Sequence, residues 1–152
     1  MAEFRVGWRE WLALPALDIP SIKAKIDTGA RTSALHTYFV EPFEDHQNTM
    51  VRFGVHPLQN RQDLEIICLS PVKDYREVTD SGGHREMRYV IETVVVLGVQ
   101  RRRIEVTLTN RDTMRFRMLL GRTAMEGMLV VPDKSYLLGR HANPYALKGK
   151  SR

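Results

Sequence analysis

An alternating strand that runs without a break into an Asp-Thr-Gly turn constrains this chain more than any other stretch. In Ile22-Lys23-Ala24-Lys25-Ile26, the residues Ile22, Ala24 and Ile26 share one face at period two. Asp27-Thr28-Gly29-Ala30 follows directly and lifts one acid out of the sheet. Gly29 lets the backbone approach that carboxylate closely, and backbone N–H groups can donate to it. Thr28 adds a short hydroxyl that donates or accepts. Read alone, the segment is equally a strand closed by an ordinary Asp/Gly turn.

A second segment shifts that balance. Phe116-Arg117-Met118-Leu119-Leu120-Gly121-Arg122 reads as an apolar strand ending in glycine, followed by a short helical stretch from Thr123 to Met128. By itself it is a buried strand and turn. The two segments stand in order, about ninety residues apart.

Taken together, Lys25-Ile26-Asp27-Thr28-Gly29-Ala30-Arg31-Thr32-Ser33-Ala34-Leu35-His36 and Leu119-Leu120-Gly121-Arg122-Thr123 resemble the bacterial retropepsin-like domain family. That family also carries the label ATP-dependent zinc protease and is associated with RimK-type glutamate ligases. The resemblance runs from about Gly7 to Leu138. It implies a mostly β fold, a closed or nearly closed acid-protease barrel with one short helix. It also implies that Asp27 is the catalytic acid and that Thr28 and Gly29 hold its loop. Ala30, Arg31, Gly82, Gly83, Gly121 and Arg122 would then border the substrate.

One acid per chain constrains assembly. Aspartic proteolysis uses two adjacent carboxylates sharing one proton, one activating water while the other polarises the carbonyl. Such a pair titrates as a unit. Asp27 must therefore meet a second Asp27 across a two-fold axis, which implies a homodimer. Asp80-Ser81-Gly82-Gly83 imitates a second catalytic loop, but its upstream residues Asp74 to Thr79 are not an apolar buried strand. We read Tyr75 to Arg88 as a hairpin with a glycine-rich tip, either a flap over substrate or a surface hairpin with no role. Arg31 stands where viral retropepsins carry a small acidic or polar residue. It could disturb a shared proton, or point away and bind an acidic substrate or partner. A non-catalytic adaptor that binds a RimK-type ligase or its acidic product is therefore the alternative to a peptidase.

Composition agrees with one domain. A chain of 152 residues suits a single core, expected over residues 1–142, with a basic, mobile tail over 143–152. The lone Cys68 forbids an intrachain disulfide, and the start of the chain shows no signal peptide, so a cytoplasmic setting is expected. No stretch is long and apolar enough for a membrane span. The formal net charge is +5, which favours acidic partners. Arg101-Arg102-Arg103 is expected at a hairpin turn after Gly98, as a solvated surface or an acidic-partner site. A nucleic-acid surface would interleave aromatics with its cations, and none lies near this run, so nucleic acid is not the expected partner. His36, His46, His56, His84 and His141 form no recognisable metal motif, and no phosphate-binding Gly-rich loop is present, so no cofactor is expected.

The remaining pattern is many short strands. They are expected over Phe4–Leu14, Ala34–Val40, Met50–Val55, Leu64–Leu69, Met87–Leu97 and Arg103–Thr109, with a terminal one at Val130-Val131-Pro132.

Overall fold

A computed structural model describes residues 3–58, 61–80, 82–110 and 115–139. In chain order the elements are β1 (Arg5–Val6), β2 (Arg9–Leu14), a 3-10 turn (Pro15–Leu17), β3 (Ile19–Ile26), β4 (Ser33–His36), β5 (Phe39–Asp45) and β6 (Asn48–Val55). There follow β7 (Ile66–Pro71), β8 (Asp74–Thr79), β9 (Arg85–Leu97), β10 (Gln100–Thr109), β11 (Met118–Leu120), a second 3-10 turn (Arg122–Met125) and β12 (Leu129–Val130). The expected tail over 143–152 lies outside the described residues.

The main sheet has seven strands in the order β10-β4-β11-β3-β2-β9-β8, and β9 also pairs with β10. The strands from β10 round to β9 therefore close on themselves as a ring, and β8 extends from β9. This is the mostly β, closed or nearly closed arrangement that the sequence implies. Inward positions alternate with outward ones, so Leu12, Leu14, Ile22, Ala24, Val95, Leu97, Val106, Met118 and Leu120 fill the interior. Each fully buried Leu, Ile or Val there is worth about 1.5–3 kcal/mol relative to exposure. A separate three-stranded sheet, β5-β6-β7, contributes Val51, Phe53, Val55 and Cys68 to the same core. Burial pushes the Cys68 thiol up to about 12, with a further push from Asp18, so this cysteine stays protonated.

Three expectations need correction. No α-helix occurs among the described residues. The helix expected over Thr123–Met128 is instead the 3-10 turn Arg122–Met125, opened by Ala124 N–H donating to Gly121 O at 3.2 Å. Gly127, at φ +80, then turns the chain towards β12. The strand expected from Phe4 to Leu14 breaks at Gly7 and Trp8. A side chain at Gly7 would collide with the Lys134 carbonyl, to which Trp8 N–H donates at 2.8 Å. The strand expected from Ala34 to Val40 divides at Thr37, whose N–H and hydroxyl both donate to Thr109 O, at 2.8 and 2.9 Å. Tyr38 N–H then donates to Gly54 O, carrying the chain into the second sheet.

Both ends of the described chain are fastened to the rest of the fold. β1 and β12 pair in parallel. The carboxylate of Glu10 is fully buried and accepts N–H bonds from Gly7 (2.7 Å), Leu137 (2.9 Å) and Leu138 (3.2 Å).

Candidate active site

The sequence around Asp27 folds as a loop that encircles a strand. β3 delivers Asp27, the loop turns back as β4, and β11 lies between the two, parallel to β3 and antiparallel to β4. Asp27 N–H donates to Leu120 O at 2.9 Å, so the last residue of β11 holds the acid's backbone directly. The Gly29 N–H donates to Asp27 Oδ1 at 3.0 Å. A Cβ on Gly29 would stand 3.3 Å from that oxygen, a tight contact against the acid itself.

The strand's terminal glycine is the keystone of the packing. Gly121 N–H donates to the buried Ser33 Oγ at 3.0 Å. A Cβ there would stand 2.6 Å from the Thr32 carbonyl carbon and 2.8 Å from its oxygen. Next to it, Arg122 N–H donates to Ala30 O at 2.8 Å, and Arg122 Nη1 reaches back to Thr28 O at 3.0 Å. Thr123 bonds Arg31 O twice, through its N–H at 3.1 Å and its hydroxyl at 3.0 Å. Thus Thr28, Ala30 and Arg31 are each held through their carbonyls by the residues after β11.

A groove of about 1140 Å³ opens above Asp27. Of the residues named from sequence, Asp27, Gly29, Ala30, Arg31, Gly82 and Arg122 line it. Thr28, Gly121 and Gly83 do not line it: Thr28 O accepts from Arg122 and Gly121 N–H donates to Ser33, while Gly83 stands one step further round the hairpin tip, at φ +84. The hairpin itself is present: β8 pairs with β9 from Asp74↔Val90 to Thr79↔Arg85. Its strands supply Arg76, Glu77, Val78, Thr79 and Arg88 to the groove wall.

Charge in the groove is divided between two zones. At the base of the hairpin, Lys73 bridges Glu92 (2.9 Å) and Glu105 (2.8 Å), Arg76 pairs with Glu105 (2.7 Å), and Arg103 pairs with Glu92 (2.7 Å). Hydrogen bonds from Lys73, then from Arg103, hold the Glu92 carboxyl below its ordinary range. The same holds for Glu105, first through Lys73 and then Arg76. Beside Asp27, by contrast, Lys25, Arg31 and Arg122 line the groove with no ion pair among the described residues. Sequence reasoning named Arg31 and Arg122 but missed Lys25, whose signal was its place two residues before Asp27 on the strand.

The arginine run differs from expectation. The turn is Gly98 and Val99, and Arg101, Arg102 and Arg103 already belong to β10. Arg102 donates to Ala124 O and Glu126 O, at 3.1 and 2.7 Å, and Arg103 is engaged by Glu92. Two of the three are thus used internally. Among the described residues no group of three or more His, Cys, Asp or Glu side chains could hold a metal ion. His141 lies outside them.

A closed sheet carrying one Asp-Thr-Gly loop, latched by a strand that ends in glycine, defines a single-lobe acid-protease domain. The chain belongs to the family described as "Retropepsin-like aspartic endopeptidase RimB", whose profile matches residues 5–141. It is 46% identical over 138 residues to a "probable alpha-L-glutamate ligase" of Shewanella pealeana, and 49% identical over 135 residues to one of Parasynechococcus marenigrum. Those matches cover 90% and 88% of this chain but only 30% and 29% of the relatives. The chain therefore spans about a third of the length of the ligases it matches. A Legionella pneumophila protein of unknown function, Lpg0085, shares the fold, with a TM-score of 0.72 and 24% identity, over 90% of this chain and 99% of that one. No helix among the described residues is long and apolar enough to cross a membrane.

Proposed function

We propose that this chain is an aspartic peptidase whose catalytic dyad forms from the Asp27 residues of two copies. The observation that carries the reading is the Asp27 loop: one carboxylate, fixed by its own Gly29 N–H and by β11, at the floor of a groove. One carboxylate cannot act as base and acid together, so a second copy supplies the other. One Asp27 takes a proton from water, which attacks the peptide carbonyl. The other, protonated, donates a hydrogen bond to the carbonyl oxygen. The Asp80 hairpin covers the bound chain. Lys25, Arg31 and Arg122 beside the acid favour a peptide with acidic side chains, because the two guanidinium forks can bind carboxylates bidentately and the Lys25 ammonium adds a point charge. Hydrolysis of acidic peptides by wild type and Asp27→Asn, from acidic to neutral pH, tests this. Loss of about 10²-fold or more in Asp27→Asn supports it, and equal rates sink it.

A second reading has its own support, since the matched relatives carry a similar domain within a much longer ligase chain. In that reading the chain is an adaptor for a RimK-type glutamate ligase or its acidic product. Asp27→Asn would then leave binding of the ligase unchanged while no peptide hydrolysis is found in either protein.

A further inference from the structure

The outward face of β2 and β3 gathers rings and cations that are far apart in sequence. The antiparallel register sets Arg9 opposite Lys25 and Trp11 opposite Lys23. Their neighbours Glu10, Leu12, Ile22 and Ala24 point inward and are buried. The Arg9 guanidinium lies 4.6 Å from the Trp8 ring centre and 5.0 Å from that of Tyr136. Lys23 Nζ lies 5.9 Å from Trp11 and 5.6 Å from Phe116, and Arg115 lies 5.9 Å from Phe116. Trp8 meets Phe116 edge-on at 5.8 Å, and Trp11 stacks on Tyr136 at 6.4 Å.

No carboxylate among the described residues pairs with the cations of this face. Among the described residues Arg9, Lys23, Lys25 and Arg115 make no ion pair, whereas Lys73, Arg76 and Arg103 on the hairpin side are all paired. The crowding has a cost. Burial, then Arg9, then Arg115 lower the pKa of Lys23, so at neutral pH the fold bears like-charge repulsion here. A patch that holds cations with no ion pair among the described residues against the half-buried Trp8, Trp11 and Tyr136, with Phe116 buried behind them, is suited to an anionic, planar partner.

We propose that this face binds single-stranded nucleic acid, with phosphates on Arg9, Lys23, Lys25 and Arg115 and bases stacked against the ring and guanidinium planes. Stacking on rings within a cationic groove is the mode of sequence-tolerant single-strand binding. An acidic polypeptide would use the cations and leave the rings without a role. A second copy of the same face would meet like charge. The surface is separate from the peptidase reading and does not depend on it, although Lys25 also lines the Asp27 groove.

The probe is fluorescein-labelled oligouridylate of about twelve nucleotides, within the size of one single-strand site. Trp8 and Trp11 are the only tryptophans, so quenching of intrinsic fluorescence reports this face directly. Wild type should bind with quenching, with affinity falling as salt rises. Lys23→Met relieves the repulsion, so it should melt no lower than wild type. It should bind about tenfold more weakly, with a log–log salt slope shallower by about 0.7. Trp11→Leu should weaken binding at least about tenfold, while Trp11→Phe keeps a ring and most of the affinity. Absence of binding and quenching at low salt would overturn the proposal, as would wild-type affinity in Lys23→Met. Displacement of the oligonucleotide by oligoglutamate at equal or lower charge concentration would also overturn it and give the face to acidic polypeptides.

Discussion

Two Asp-x-Gly turns face the same groove, and only one of them is built into the core. In both, an aspartate oxygen accepts the glycine N–H two residues on: Asp27 Oδ1 from Gly29 at 3.0 Å, Asp80 Oδ1 from Gly82 at 2.9 Å. The Asp80 oxygen also accepts the His84 N–H at 2.9 Å and lies 3.5 Å from the His84 ring nitrogen. It is occupied in closing a hairpin tip. The Asp27 turn is instead held from outside, by Leu120, Gly121, Arg122 and Thr123. The same local motif is thus a cap in one place and a mounted acid in the other. What separates them is tertiary support, which a three-residue pattern does not carry.

The largest effect should come from removing that support. Gly121→Ala drives a Cβ into the Thr32 backbone, which cannot yield as a side chain end could. It should destabilise the protein by about 3 kcal/mol, read by chemical denaturation. Gly82→Ala meets only side-chain ends, His84 Nδ1 at 3.3 Å and Asp80 Oδ1 at 3.4 Å, and should stay within about 0.5 kcal/mol of wild type. Comparable losses in the two variants would erase the contrast.

Acid should then separate the two regions. The carboxyls of Glu92 and Glu105 at the hairpin base sit below the ordinary value of 4.5. Their contribution is therefore present above about that pH and is lost as pH falls through their folded values. The Asp27 latch relies on backbone, hydroxyl and guanidinium groups that do not titrate there. Amide protection should fall first in β8 and the paired part of β9 as pH drops towards about 3, with β3 and β11 still protected. Simultaneous loss would contradict this.

A smaller loss than that of Gly121→Ala belongs to the strut from Arg122 to Thr28. Arg122→Ala removes one exposed hydrogen bond and should lower stability by about 1 kcal/mol, because the bond from Arg122 N–H to Ala30 O survives. A loss as large as that of Gly121→Ala would mean that the side chain, and not the glycine, is the keystone.

The mounted acid was legible in the sequence because its support is local in pattern. Alternating Ile22, Ala24 and Ile26, then Asp27-Thr28-Gly29, and later Met118 to Gly121, are period and punctuation signals, and β11 spans the expected Met118–Leu120. The hairpin from Tyr75 was legible for the same reason. Breaks imposed by distant backbone were not. Gly7 interrupts a strand because Lys134 passes over it, and Thr37 ends one because Thr109 is beside it. The expected turn at Arg101 to Arg103 failed because Gly98 and Val99 alone complete it, and strand pairing with Val96, Val95 and Val94 claims the arginines. The rings and cations of β2 and β3 were invisible as a group, since only the register brings Trp11 to Lys23 and packing brings Phe116 and Tyr136 to them.

The central claim is that Asp27 is half of a catalytic pair and Asp80 is not part of it. Peptide hydrolysis can be measured in mixtures of wild type with Asp27→Asn at fixed total concentration, after subunit exchange. If both acids must be intact, activity falls as the square of the wild-type fraction, to about one quarter in an equal mixture. The same titration with Asp80→Asn should leave activity near its starting level throughout. A linear fall to about one half with Asp27→Asn, or a fall of either form with Asp80→Asn, would contradict the account.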